Sequence, residues 1–96
     1  VRILERNFRS YHGEIDIIAM EEQCILVVEV KMRSSRECGT PAEAVNLRKQ
    51  KRICYTFNYY RMKKQISENT AVRFDVLEVD RTFQCHWIKN AFEFQE

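Results

Sequence analysis

Apolar, β-branched segments alternate with short polar breaks over the first third of the chain, which is the pattern of a sheet. The segments span residues 1–8, 14–20 and 24–32. Gly13 marks one break and Glu21-Glu22-Gln23 marks the next, and connections this short join antiparallel neighbours. The third segment is almost continuously apolar, as expected of a strand covered on both faces. We therefore predict a three-stranded antiparallel meander.

A long amphipathic segment follows a polar loop that contains Gly39. Thr40 can cap a helix, Pro41 suits its first position, and Glu43 completes a capping box. We predict that the helix runs from there to about Gln65. Four of its residues are expected to face the sheet: Val45, Ile53, Phe57 and Tyr60.

Two further strands are predicted after the helix. Residues 72–79 alternate between apolar and polar side chains, residues 84–88 form a last short strand, and the tail 91–94 is expected to dock on the core. The order β-β-β-α-β-β predicts an α/β fold with a mixed sheet, in which the helix crosses over between strands. Ninety-six residues fit one domain, so residues 1–96 are predicted to be a single unit.

The composition argues against several classes of protein. The chain is 45% hydrophobic, so it is globular rather than disordered. It has no apolar run of about 18 residues and no signal-peptide pattern, so we expect no membrane span and a cytoplasmic location. Its four cysteines show no Cys-x-x-Cys spacing, which argues against a zinc ribbon or a redox pair.

The net charge of +2 conceals a strong asymmetry. Residues 31–64 contain ten Lys or Arg and two acidic residues, whereas the rest of the chain contains six basic and twelve acidic residues. A basic block attracts a polyanion such as DNA, and an acidic pocket attracts a metal cation. The two together are what a metal-assisted phosphodiesterase would require.

One carboxylate interrupts the most apolar segment. Glu29 lies in the run Cys-Ile-Leu-Val-Val-Glu-Val that begins at Cys24. An ionised carboxylate in such a strand is costly unless it is paired or binds a cation. Strand alternation places Lys31 on the same face as Glu29. If the second and third strands pair across their short turn, Asp16 lies nearly beside Glu29.

Strict alternation along the second strand predicts two faces. One face carries Glu14, Asp16 and Ile18, and the other carries Ile15, Ile17 and Ala19. An ordinary structural explanation is also open for the charged residues. In that interpretation Lys31 forms a cross-strand salt bridge with Asp16 or Glu29, and Glu14 is solvated at a sheet edge.

The functional interpretation is a metal site. Two neighbouring carboxylates raise each other's pKa unless a cation lies between them. Mg²⁺ takes carboxylate and carbonyl oxygens, which makes Asp16, Glu29 and the backbone carbonyl of Val30 predicted ligands, with Mn²⁺ as the alternative ion. Glu14 is a candidate further ligand. The metal would activate a bound water, and Lys31 would orient that water or stabilise charge on the phosphate.

The predicted helix carries a cationic face beside aromatic rings. The residues that can share this face are Arg48, Lys51, Arg52, Tyr55 and Tyr59. We expect them, together with Arg33, to bind a phosphate backbone and exposed bases, although a solvated helix surface is the alternative. Lys49 belongs to the same basic run but lies in line with the apolar face. It either snorkels along the sheet, which we favour, or reaches the acidic site as an extra cation.

These motifs together resemble a known family. Asp16 followed by Glu29-Val30-Lys31 resembles the PD-(D/E)xK nuclease signature, and the whole chain is similar to the YraN family of endonuclease-like bacterial proteins. The similarity extends over nearly all of the chain. Its further motifs lie at residues 6–9, 13–19, 28–33, 39–45, 48–50, 72–76 and 87–88.

The resemblance implies a restriction-endonuclease-like core, similar to archaeal Holliday-junction resolvases. In that superfamily the Asp and Glu bind a divalent metal and the Lys serves catalysis, roles that fall here on Asp16, Glu29 and Lys31. We therefore expect a Mg²⁺- or Mn²⁺-dependent endonuclease that hydrolyses phosphodiester bonds of branched or other structured DNA. A non-catalytic nucleic-acid-binding domain on the same fold is the alternative, and a purely structural or interaction protein is a third.

The sequence departs from the family pattern in two places. Ile15, rather than Pro, precedes Asp16. Family members also begin with a helix that carries a further Glu, and no segment of this chain matches it. The resemblance therefore predicts that the chain is truncated before Val1, and that the uncovered face of the sheet favours a homodimer or weak folding.

Overall fold

The computed structural model describes residues 1–32 and 45–94. These residues form one mixed sheet and one helix. The elements are β1 (Arg2–Ser10), β2 (Gly13–Glu21), β3 (Cys24–Met32), α1 (Leu47–Lys63), β4 (Ala71–Val79) and β5 (Cys85–Phe92). The strands lie side by side in chain order. Neighbouring strands are antiparallel except β3 and β4, which are parallel and are joined through α1. The predicted meander, mixed sheet and crossover helix are confirmed.

The turn between β2 and β3 is tighter than predicted. Glu21 pairs with Cys24, which leaves only Glu22 and Gln23 as the turn. Glu22 has a φ of 55°, the left-handed conformation that two-residue hairpin turns require. This turn and the apolar faces of the two strands together set the register, because a slip of one residue would expose every buried side chain.

The helix begins later than predicted. Its N-cap is Asn46, whose side-chain oxygen accepts a hydrogen bond of 2.9 Å from the backbone N–H of Lys49. The predicted start at residues 40–43 lies outside the described residues, and Val45 is buried but precedes the helix. The helix ends at Lys63, close to the predicted end. No helix in the described ranges is long and apolar enough to cross a membrane.

The main core lies between α1 and the sheet. Ile53, Phe57 and Tyr60 of the helix are buried there, as predicted. Their partners on the strands are Phe8, Ile15, Ile18, Ile25, Val27, Phe74, Val76 and Phe92. Each large apolar side chain buried in this way stabilises the fold by roughly 1.5–3 kcal/mol. Strand β5 is longer than predicted and ends at Phe92. The tail docks on the core through this residue, whose ring stacks on that of Phe74 with centroids 5.1 Å apart.

The opposite face of the sheet carries a buried polar cluster around Asp75. Its carboxylate is fully buried and accepts hydrogen bonds from Arg73 (2.8 and 2.9 Å), the Trp87 indole (2.8 Å) and the Asn90 backbone (2.9 Å). Burial raises the pKa of Asp75, but these hydrogen bonds outweigh it and hold the pKa below its ordinary value. The structural pair expected of Asp75 is therefore present, and it ties β4 to β5.

We expect Asp75→Asn to lower the free energy of unfolding by about 3 kcal/mol, because it leaves the Arg73 guanidinium without its buried partner. Since the pKa of Asp75 is lowered, this stabilisation is present above pH 3.8 and is lost as the pH falls below that value. Urea unfolding followed by circular dichroism at pH 7 and pH 3 measures both effects. Glu68→Gln, in an exposed loop, is the matched control, and a loss of equal size in both variants would contradict the assignment.

Candidate active site

The site begins where β2 and β3 separate. Their ladder is regular from the turn as far as the pair Ile17 and Val28. Beyond it, the backbone N–H of Val30 donates a hydrogen bond of 2.8 Å to the Asp16 carboxylate. A side chain thus takes the place of a strand partner, which satisfies a backbone donor and fixes the Asp16 side chain between the two strands.

The separation also overturns one prediction about β2. Ile15 was expected to share a face with Ile17 and Ala19, and this is wrong. Ile15 is buried in the helix-side core together with Ile18, whereas Ile17 and Ala19 belong to the opposite face. Ile15 pairs with Phe8 of β1, another residue of the helix-side core. The alternation therefore breaks in the part of β2 that leaves the ladder with β3.

Glu29 is buried beside Asp16 with only part of its hydrogen-bonding capacity used. The residue is 7% exposed, and its Oε1 lies 3.3 Å from the Nζ of Lys49. Its Oε2 is buried and has no hydrogen-bond partner among the described residues. Burial, and then the neighbouring Asp16 carboxylate, raise the pKa of Glu29 to about 7, with Lys49 acting in the opposite direction. Near neutral pH this site takes up or releases a proton.

Lys49 forms an ion pair with Glu29, and the favoured prediction that it snorkels along the sheet was wrong. Because the helix begins after Asn46, Lys49 lies in its first turn, over the end of the hairpin. Its side chain is about half exposed (53%) while its ammonium contacts Glu29. The signal was present in the sequence, since Lys49 shares a line with the apolar residues that face the sheet.

A cleft of about 460 Å³ lies over the carboxylates. Its lining residues are Gly13, Glu14, Asp16, Glu29, Asn46, Arg48, Lys49, Arg52 and Ile53. Acidic groups from the strands thus face basic groups from α1. Glu14 is partly exposed and lies 3.6 Å from Arg9, which is not among the described residues that line this cleft. The predicted site residues Asp16, Glu29 and Glu14 are brought to one cleft.

Other predicted site residues lie elsewhere. Lys31 is paired in register with Glu78 of β4 and is not among the described residues that line the cleft. Lys51, Tyr55 and Tyr59 are exposed on α1, on the face predicted for DNA, but outside the cleft lining. Arg33 lies outside the described residues. The structure thus brings Arg48, Lys49 and Arg52, rather than the whole predicted set, to the carboxylates.

The donor set at the site suits a hard divalent cation. Two carboxylates lie together, and Glu29 Oε2 is buried without a hydrogen-bond partner in the described part of the chain. No group of three His, Cys, Asp or Glu side chains that could hold a metal is found among residues 1–32 and 45–94, so Glu14 does not complete a three-carboxylate set. Mg²⁺ is often held by one or two carboxylates plus waters and substrate phosphate, which two carboxylates can provide.

The raised pKa of Glu29 predicts a pH-dependent stability. Between pH 4.5 and about 7 the folded protein holds a proton on Glu29 that the unfolded chain has lost, so this group's contribution falls as the pH rises. In EDTA, Glu29→Gln should therefore gain up to about 3 kcal/mol over wild type between pH 5 and pH 8. Urea denaturation across this range measures the difference.

Lys49→Met sharpens this measurement, since it removes the cation that lowers the pKa of Glu29 and should move the transition to higher pH. Lys51→Met removes an exposed charge from the same helix but outside the cleft lining, so it should leave the pH of the transition unchanged. A difference between wild type and Glu29→Gln that stays constant with pH would contradict the assignment.

The chain as a whole is similar to known proteins. The chain matches the family described as "Uncharacterised protein family UPF0102" over residues 1–79. A UPF0102 protein of Clostridium botulinum (strain 657 / Type Ba4) is 46% identical over 96 residues, which cover 95% of this chain and 78% of that protein. A UPF0102 protein of Lachnoclostridium phytofermentans is 44% identical over 92 residues, covering 96% of this chain and 77% of the relative. The chain belongs to the UPF0102 family, which is the YraN family that its motifs resemble.

Proposed function

We propose that this protein is a divalent-metal-dependent endonuclease that hydrolyses phosphodiester bonds in branched or other structured DNA. The observation that carries the proposal is the pair Asp16 and Glu29, held together at the base of a cleft whose facing wall is cationic. A structural carboxylate in this sheet looks different. Asp75 has its hydrogen bonds satisfied and a lowered pKa, whereas Glu29 has a buried oxygen without a described partner and a raised pKa.

The chain's own residues divide the work between binding and chemistry. Arg48 and Arg52 line the cleft and would hold the phosphates on either side of the scissile bond. Asp16 and Glu29 would hold the cation, Mg²⁺ or Mn²⁺. When bound there, such a cation supplies Lewis-acid polarisation of a phosphoryl oxygen and a water of lowered pKa. The Val30 hydrogen bond keeps Asp16 in place throughout.

Two lysines are candidates for the cation that acts on the reacting groups. Lys31 is the residue that the nuclease signature assigns, whereas Lys49 is the residue that lies 3.3 Å from Glu29. If Glu29 held the divalent cation, the Lys49 ammonium would be free to contact a bound phosphate instead. Lys49 therefore positions Glu29 in the metal-free protein, whereas the catalytic role of Lys31 rests on the nuclease signature, since Lys31 is not among the described residues that line the cleft.

DNA binding without cleavage is the second candidate function. The cleft wall formed by Arg48 and Arg52 would attract a phosphate backbone whether or not a metal is bound. In that case Asp16 and Glu29 would have no catalytic role, and Asp16→Asn and Glu29→Gln would not weaken DNA binding.

Cleavage is the direct test. The protein is incubated with four-way junction, flap and linear DNA in Mg²⁺, Mn²⁺ or EDTA. We expect cleavage only with a metal, and Asp16→Asn, Glu29→Gln and Lys31→Met should each reduce the rate about a hundredfold or more, since each removes a group that acts on the reacting phosphate. Glu22→Gln, in the exposed turn of the same hairpin, should cut at the wild-type rate. Equal rates for wild type and Glu29→Gln would rule out the nuclease.

Binding is measured separately, in EDTA, by fluorescence anisotropy at several salt concentrations. We expect affinity to fall steeply with salt, and Arg52→Ala to reduce the slope of log K against log salt by about 1, because one phosphate contact is lost. Lys89→Ala removes an exposed charge on β5, far along the sheet from the cleft, and should leave the slope unchanged. Affinity that does not vary with salt would exclude both candidate functions.

A further inference from the structure

An unusually exposed aromatic residue lies at the tip of the β1–β2 turn. Tyr11 is 98% exposed, so its ring contributes almost nothing to the core. It does not stand alone, because its ring meets that of His12 edge-on with centroids 5.4 Å apart. His12 in turn lies 5.4 Å from Tyr55 of α1 at an interplanar angle of 33°. Three rings thus form a continuous row from the turn to the helix, which we call the aromatic row.

Contacts with α1 hold the turn that carries Tyr11 and His12. Ser10 and Thr56 form a hydroxyl–hydroxyl hydrogen bond of 3.0 Å, and Ser10 also accepts one of 3.1 Å from the backbone N–H of His12. Gly13 lies directly against the helix, since a Cβ at this position would be 3.5 Å from Thr56 Oγ1 and 3.6 Å from Arg52 Cβ. The turn therefore has a fixed position on α1, which lowers the entropy cost of binding a ligand there.

The aromatic row borders the carboxylate cleft. A second surface depression, of about 510 Å³, is lined by residues of the turn, including Tyr11 and His12. It shares Gly13, Glu14 and Arg52 with the cleft over Asp16 and Glu29. The two depressions are therefore adjacent parts of one surface, with Arg52 at their common border.

We propose that the aromatic row is a stacking platform for unpaired bases of the DNA strand whose backbone lies along Arg52. This inference rests on the proposed function for the presence of DNA in the cleft, and it adds a substrate class: duplex DNA that carries a single-stranded segment. A paired base hides both faces in the duplex, whereas an unpaired base can stack on exposed aromatic rings. Arg52, which lines the same depression, provides complementary charge for the phosphates, and Arg9 lies there as well, 3.6 Å from Glu14.

Binding of tailed and blunt DNA tests the proposal. Fluorescence anisotropy in EDTA compares a blunt duplex with the same duplex carrying a single-stranded tail of about ten nucleotides, within the usual range for aromatic platforms. We expect wild type to prefer the tailed DNA. Tyr11→Ala and Tyr55→Ala should each reduce that preference about fivefold or more, since each removes one stacking surface, while affinity for the blunt duplex changes little.

Three controls separate stacking from other effects. Tyr11→Phe and Tyr55→Phe keep the ring and should keep the preference. Phe83→Ala removes another highly exposed ring (79%) from the β4–β5 turn and should change nothing. If wild type shows no preference for tailed DNA, or if that preference survives both alanine substitutions, the proposal of a stacking platform is wrong. Because no metal is present, the result does not depend on cleavage, and an inactive protein with an intact preference would refute only the nuclease.

Discussion

Where β2 and β3 part, the backbone N–H of Val30 faces a gap in the sheet, and Asp16 fills it with its side chain. An unpaired backbone donor at this depth would cost free energy comparable to a lost hydrogen bond, so the contact holds the separated strands in a defined geometry. The arrangement of the rest of the site is consistent with this contact. Asp16 is held beside Glu29, Ile15 turns toward α1, and the cleft opens over the two carboxylates.

Two buried acidic groups of the sheet differ in how completely the described residues satisfy their hydrogen bonds. Asp75 has donors on both oxygens, and its pKa is lowered. Glu29 shares one oxygen with an ammonium at 3.3 Å and leaves the other without a described partner, and its pKa is raised to about 7. Selection for stability alone favours the first arrangement. The second is tolerated where a ligand can complete it, which is the physical basis for placing function at Glu29.

The sheet could be predicted from the sequence because its signals are local. Alternation and short connections indicate strands and a meander, and from the sequence alone they predict that Asp16 lies next to Glu29. Ile15 could not be assigned in this way, since its orientation depends on where the ladder ends rather than on its own neighbours. Lys49 is a similar case. Its role depends on the cap at Asn46, because starting the helix there sets which side chain in the first turn reaches Glu29.

Helix α1 also fixes a distance. Lys49 at the carboxylates and Tyr55 in the aromatic row are six positions apart on the same helix, which corresponds to about 9 Å along the axis at 1.5 Å per residue. Stacked nucleotides rise roughly 3.4 Å each, so this interval spans two to three of them. The helix would therefore set a constant distance between the carboxylates and the aromatic row. If the proposed stacking platform holds unpaired bases, the strand would reach the proposed metal site at a constant offset from the point where the duplex ends, whatever its sequence.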